Sequence, residues 1–174
     1  SLDELSLSPL PLEVEEMLEP EGAEELDDSA ILRWAGHLVE PHHLVRNVRR
    51  ATLEGEGAAI IHAKLAEMWA GRQGPRARRM EAHHRLESGS EVEPDWIKDA
   101  VAEILEGDSS AAAVVLDHAI ESNPEEGLFE LAADIALERG ETEVASGYIE
   151  SLSDGPRKDM VSSRLARAEG EWKK

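Results

Sequence analysis

An internal repeat in the second half of the chain constrains the fold more than any other sequence feature. Gly107 and Gly140 lie 33 positions apart, and the same spacing separates Ala112 from Ala145. Each glycine is followed by a stretch that begins polar and continues with apolar residues at helical spacing. Repeats of this length are typical of helical hairpins that stack, because one hairpin alone cannot bury its apolar face. The sequence therefore predicts two such hairpins in tandem.

The composition agrees with a helical protein. Only 3% of the 174 residues are aromatic, Ala, Leu and Glu are abundant, and no run of strand-forming residues alternates with a period of two. From residue 28 onward, short amphipathic segments are separated by Gly or Pro, and the clearest linker is Ser88-Gly89-Ser90. We predict about nine helices, the first of them over residues 29–40, with the linker dividing the body near its midpoint.

The first repeat resembles a tetratricopeptide repeat. That family's pattern has a large and a small residue in the first helix, a turn, and then Ala, a large apolar residue and Pro at set intervals. The matching residues are Trp96, Asp99, Ala100, Gly107, Ala112, Leu116, Ala119 and Pro124. The small residues allow neighbouring helices to approach closely, and the large ones fill the gaps between them.

The resemblance implies an all-α fold of stacked antiparallel hairpins, a right-handed α-solenoid. Residues 29–174 would form one domain. Irregular hairpins would occupy residues 29–88, and more regular repeats would occupy 93–172, where residues 157–172 form a capping helix. The second copy matches less completely, since Pro156 arrives one residue early.

Residues 1–28 differ from the rest. Residues 1–30 contain 11 acidic and no basic side chains, and Pro9, Pro11 and Pro20 interrupt any long element. We expect this segment to be mobile or to lie over the body. It has no basic stretch followed by a long apolar run, so it does not resemble a secretory signal peptide, and we expect a cytoplasmic protein.

Basic residues are concentrated in the middle of an acidic chain. The net charge is −20, yet residues 31–90 hold 10 basic and 6 acidic side chains. Two arginine clusters lie there: Arg46, Arg49 and Arg50, followed by Arg76, Arg78 and Arg79. They are either a solvated helix surface or a receptor for an acidic segment, for which the chain's own N-terminus is one candidate. The negative total charge argues against nucleic acid as a partner.

The resemblance further implies a non-enzymatic interaction scaffold, which holds a protein or peptide on a concave surface built from first-helix side chains. On that surface we expect Ile97, Val101, Glu130 and Asp134, whose acidic members favour a Lys- or Arg-bearing partner. Together with Arg46, Arg49, Arg50, Arg78 and Arg79, they are the predicted partner-binding residues. The first alternative is a structural protein that assembles with copies of itself.

Candidate chemistry is sparse. The chain has no cysteine and no phosphate-binding or nucleophile motif, so we predict no catalytic residue and no cofactor. Seven histidines are present, and Glu40-x-x-His43 and Glu81-x-x-His84 have the spacing used in carboxylate-bridged di-metal sites. Two further inward Glu residues are lacking, so we predict no metal site and keep metal binding as a second alternative. No stretch of about 18 apolar residues exists, which excludes membrane insertion through a single helix.

Overall fold

The fold was derived from a computed structural model, which describes residues 1–53 and 55–170. These residues form ten α-helices, one 3-10 helix and three short strands, so the prediction of a mainly helical protein is confirmed. The chain divides into two compact units. The first contains residues 1–73 and 80–90, and the second contains residues 74–79 and the chain from residue 91 onward. The main boundary between the two units therefore follows Ser90.

The first unit combines helices with a small sheet. Its elements are α1 (Leu2–Leu7), β1 (Leu12–Glu13), a 3-10 helix (Val14–Glu16), α2 (Gly22–Asp28), β2 (Leu32–Ala35), β3 (Leu38–Pro41), α3 (His43–Thr52), α4 (Glu56–Ala70) and most of α5 (Pro75–Glu87). The sheet is antiparallel in the order β1-β3-β2, and Val39 of the central strand lies opposite Leu12 and Trp34.

The predicted helix over residues 29–40 is wrong, because this segment forms the β2–β3 hairpin. Two residues, Gly36 and His37, connect the strands, and Gly36 has a φ of +68°. A two-residue hairpin loop favours glycine at such a positive φ. In β3, Val39 and Pro41 are buried while the residue between them is more exposed, which is the alternation of a strand with one covered face.

Residues 1–28 pack into the first unit and do not form the mobile extension that the composition suggested. Leu5 and Leu12 are fully buried, and Met17 is nearly so. Glu4 is buried as well, and its carboxylate accepts a hydrogen bond from the backbone N–H of Leu18 at 2.5 Å. Short apolar clusters between the prolines therefore supply core residues, so the alternative expectation, that the segment lies over the body, is the one the fold supports.

The second unit is built of five helices in sequence. They are α6 (Pro94–Leu105), α7 (Ser109–Ser122), α8 (Glu126–Glu138), α9 (Thr142–Glu150) and α10 (Pro156–Ala168). Asp108 caps α7 by accepting a hydrogen bond from the N–H of Ala111 at 3.0 Å. Helix α6 packs against α7, α8 packs against α9, and α8 also contacts α6, α7 and α10. The first N-terminal turn of α5, within residues 74–79, belongs to this unit.

The repeat positions occupy the interior, as the sequence predicts. Ala112 in α7 and Ala145 in α9 both have 0% relative exposure. Ala133, Ile149 and Val161 form a core cluster that joins α8, α9 and α10. The predicted capping helix over residues 157–172 corresponds to α10, which ends at Ala168, while residues 171–174 lie outside the described part of the chain. None of the described helices has both the length and the apolar character needed to cross a bilayer.

Candidate functional site

The first arginine cluster holds the chain's own N-terminal segment. On α3, the guanidinium of Arg49 binds the carboxylate of Asp3 through two hydrogen bonds, and the Nη2–Oδ2 distance is 2.9 Å. This hydrogen bond and the charge of Asp3 raise the pKa of Arg49. Arg50 donates to the backbone carbonyl of Ser6, while Arg46 Nη2 lies 3.5 Å from Glu40 Oε2. The acidic segment that the sequence analysis named as a candidate ligand is thus bound within the same unit.

The second arginine cluster is paired inside the second unit. Arg78 Nε donates to Glu103 Oε2 at 2.9 Å, and its guanidinium lies 5.4 Å from the centre of the Trp96 ring. Arg79 Nη1 donates to Asp108 Oδ2 at 3.3 Å. Both arginines have carboxylate partners in their own unit, and their role in partner binding stays a prediction.

The four residues expected on a concave surface divide into two groups. Ile97 and Val101 are 1% and 0% exposed, so the expectation that they face a partner is corrected. They belong to the buried stripe by which α6 packs into the helical core. Glu130 and Asp134, one turn apart on α8, line a groove of about 340 Å³. The groove is bordered by Lys98, Gly127, Glu130, Leu131, Asp134 and Arg157.

Ion pairs cross this groove from α10. Arg157 Nη1 lies 3.7 Å from Glu130 Oε2, and Arg164 Nη1 binds Asp134 Oδ1. The Arg157 side chain is 64% exposed. Exposed ion pairs contribute only about 0–1 kcal/mol, because water competes for both partners. The two carboxylates are therefore held by cations that an incoming cationic group can replace.

A second groove of the same unit lies beside helices α7 and α9, and it was not predicted from the sequence. Val114 and Val144 are 64% and 48% exposed there, and the cavity measures about 290 Å³. The hydroxyl of Tyr148 donates to Asp117 Oδ1, and burial together with this hydrogen bond raises the pKa of Tyr148. The available signal was Val114, which falls outside the apolar stripe of α7, whereas the spacing of Val144 placed it in the stripe of α9 and its 48% exposure corrects that placement.

Three histidines meet inside the first unit. His62 on α4 lies beside His83 and His84 on α5, and the Nδ1 atoms of His62 and His84 are 2.8 Å apart. The ring centroids are 5.0–5.7 Å apart. One nitrogen from each ring can be chosen so that all three lie within 4.8 Å of one another. His62 and His84 are buried, whereas His83 is half-buried and its Nε2 lies 3.3 Å from the carbonyl oxygen of Leu7.

His84 is held in its neutral form. Burial, followed by the neighbouring His83 and His62 rings, lowers the pKa of His84 from 6.5 to about 2. Its Nε2 atom is buried and has no hydrogen-bond partner. A neutral imidazole with a buried and unpartnered nitrogen is an unusual polar group for a protein interior.

The Glu-x-x-His elements do not assemble as a di-metal site among the described residues. Glu81 Oε1 pairs with Arg85 at 2.6 Å, and Glu40 lies near Arg33 and Arg46. His62, which is separated from His84 by 22 positions, was not predicted as a site residue. One signal was available: His62 has helical spacing to the buried Leu65 and Trp69, so it lies on the inner stripe of α4.

Comparison with known proteins gives no match. No family model, no curated protein sequence and no solved structure matches the chain. A functional conclusion therefore depends on the arrangement of its own side chains.

Proposed function

We propose that the second unit is a tetratricopeptide-like scaffold without enzymatic activity, which binds a cationic peptide in the groove along α6, α8 and α10. The packing supports this proposal, because α8 contacts both helices of the preceding hairpin as well as α9 and α10. Such contacts are those of hairpins stacked in series, in which every first helix faces the same side. In such a stack, α10 would be the first helix of a third hairpin.

The observation that carries the proposal is the pair of carboxylates in the groove. Glu130 and Asp134 are four residues apart on one helix, which separates their Cβ atoms by about 6 Å. Alternate side chains of an extended peptide recur about every 6.5–7 Å. Two Lys or Arg side chains at alternate positions of a peptide would therefore reach both carboxylates.

The electrostatic field of this part of the chain favours the same class of partner. Residues 91–174 contain 21 acidic and 8 basic side chains, a net charge of −13. Such an excess accelerates the approach of a cationic peptide, and the effect decreases as salt is added. In the complex, the peptide would replace Arg157 and Arg164 at the carboxylates, and both arginines would return to water.

A selection from a random peptide display library tests the proposal. We expect the wild-type protein to enrich peptides with two Lys or Arg residues at alternate positions. The double variant Glu130→Gln/Asp134→Asn should bind those peptides roughly tenfold more weakly, as for the loss of two exposed ion pairs of about 0.7 kcal/mol each.

The matched control is Glu121→Gln/Glu138→Gln, which removes the same charge from exposed positions of α7 and α8. It should retain the affinity. Enriched peptides without basic residues, or equal binding by both double variants, would overturn the proposal. Thermal unfolding of each variant establishes that the fold is intact.

A second candidate function, self-association, is favoured by the exposed surface of α3. Leu44 and Val48 are 66% and 65% exposed, and with Leu2 they border an apolar groove of about 480 Å³. Contiguous apolar surface of this kind is typical of interfaces. Sedimentation equilibrium should show a dimer that Leu44→Glu dissociates. A wild-type monomer at tens of micromolar would exclude this function.

A further inference from the structure

We propose that His62, His83 and His84 bind one late first-row divalent metal ion, and Zn²⁺ is the ion used to test the site. The proposal is independent of peptide binding, since all three residues belong to the first unit. Three imidazoles with a fourth position left for water or an anion are a known ligand set for Zn²⁺, and imidazole also suits Cu²⁺ and Ni²⁺.

The geometry is close to what such an ion requires. Zn–N bonds of about 2.0–2.1 Å place the nitrogens of two tetrahedral ligands about 3.3 Å apart. The Nδ1 atoms of His62 and His84 are 2.8 Å apart, and the third nitrogen completes the group within 4.8 Å. Binding therefore needs the buried pair to open by about half an ångström and His83 to rotate inward. His83 is the half-buried member, so it has the room to move.

The hydrogen bonding of His84 also suits a metal ligand. A cation binds the lone pair of a ring nitrogen that carries no proton. The buried Nε2 of His84 lacks a hydrogen-bond partner, so one nitrogen of this ring is unsatisfied. A ring flip exchanges each nitrogen with a ring carbon at little change in shape, so it redirects the nitrogens that can become ligands.

Helices α4 and α5 together position the three rings. His83 and His84 are consecutive on α5, and His62 comes from α4, where Leu65 and Trp69 are buried beside it on the same stripe. The cluster is thus assembled from two helices, whose backbones limit the rearrangement of the ligands. The competing explanation is a purely structural hydrogen bond between two neutral histidines.

Zn²⁺ titration of the full chain, purified without a histidine tag and freed of metal with a chelator, separates these explanations. We expect one equivalent of Zn²⁺ to bind with a dissociation constant of roughly micromolar or below. The His83→Ala variant should bind at least roughly tenfold more weakly, the loss that even a ligand's supporting partner causes. His83 is the variant of choice, because a half-buried side chain is tolerated better than a buried one.

The control is His42→Ala/His43→Ala, which removes the exposed histidine pair at the start of α3 and should leave the affinity unchanged. X-ray absorption of the loaded wild-type protein should count three imidazole ligands, and this measurement needs no variant. Absence of one-to-one binding, equal affinity in His83→Ala, or loss of binding in the control would overturn the proposal and leave the structural hydrogen bond as the explanation.

Discussion

The close packing of the hairpins can be tested by enlarging the two repeat alanines. Ala112 and Ala145 are fully buried at equivalent positions of α7 and α9. Leu has nearly the same helix propensity as Ala, so Ala→Leu changes little except volume. Where space exists, burial of the added carbons would stabilise the fold, since a buried Leu side chain contributes about 1.5–3 kcal/mol.

We expect the opposite result, because the alanines are small where neighbouring helices approach closely. Forcing extra carbons into a filled interior costs about 1–3 kcal/mol, so each variant should lose that amount. The exposed Ala102→Leu on α6 is the matched control, for which we expect a change within about 0.5 kcal/mol.

Urea denaturation, combined with hydrogen exchange of the α7 and α9 amides, measures the effect. Exchange is needed because the chain has two compact units, which can unfold in separate transitions. If Ala112→Leu proved as stable as the wild-type protein, the stacking argument would be refuted, and the scaffold proposal would lose its physical basis.

Three further predictions concern single contacts. Tyr148 is the one tyrosine of the sequence, and its raised pKa predicts that its absorbance titrates above the ordinary value of about 10 in the folded protein and near 10 in urea. Because the folded state binds this proton more tightly, stability is full below about pH 10 and declines as the pH rises above it; Asp117→Asn should lower the folded pKa. Leu5→Ala should cost about 2–5 kcal/mol in denaturant unfolding, since Leu5 is a core residue. Arg49→Ala/Arg50→Ala should accelerate hydrogen exchange in residues 1–8, because both arginines hold that segment.

Each of these predictions has a contrasting outcome. An unchanged tyrosine titration in Asp117→Asn would mean that burial and the charges of Glu141 and Glu121, rather than Asp117, raise the pKa of Tyr148. Leu44→Ala, at an exposed position, should change stability by less than about 0.5 kcal/mol, and an equally small loss in Leu5→Ala would mean that the N-terminal segment is not part of the core. The control Lys64→Ala removes an exposed cation of α4. If residues 1–8 exchanged equally fast in this control and in the double arginine variant, the arginine contacts would not be what holds the segment.

Helical periodicity was sufficient for the second half of the chain and misleading in the first. Around Gly107 and Gly140, short-range spacing and turns coincide, so the hairpins and the buried alanines could be predicted. In residues 31–39, Leu32, Ala35 and Val39 satisfy a helical period although they form a hairpin. The brief two-residue turn at Gly36 was a weaker signal than the apolar pattern.

The candidate sites were harder to predict, because they depend on residues far apart in sequence. Arg49 is 46 positions from Asp3, and Arg164 is 30 positions from Asp134. Each arginine had many carboxylates to choose from in so acidic a chain, and only the tertiary fold selects one. The histidine cluster has the same origin, since α4 and α5 bring together rings that no short motif connects.

The position of β1 has a practical consequence for anyone who shortens the chain. The two residues of β1, Leu12 and Glu13, pair with Val39 and Leu38 along one side of the central strand. A protein trimmed to begin after Glu13 would present that side bare, with unpaired backbone donors and acceptors beside an apolar surface. Open strand edges of this kind recruit strands from other molecules, so the trimmed form should precipitate or aggregate while the intact chain remains dispersed.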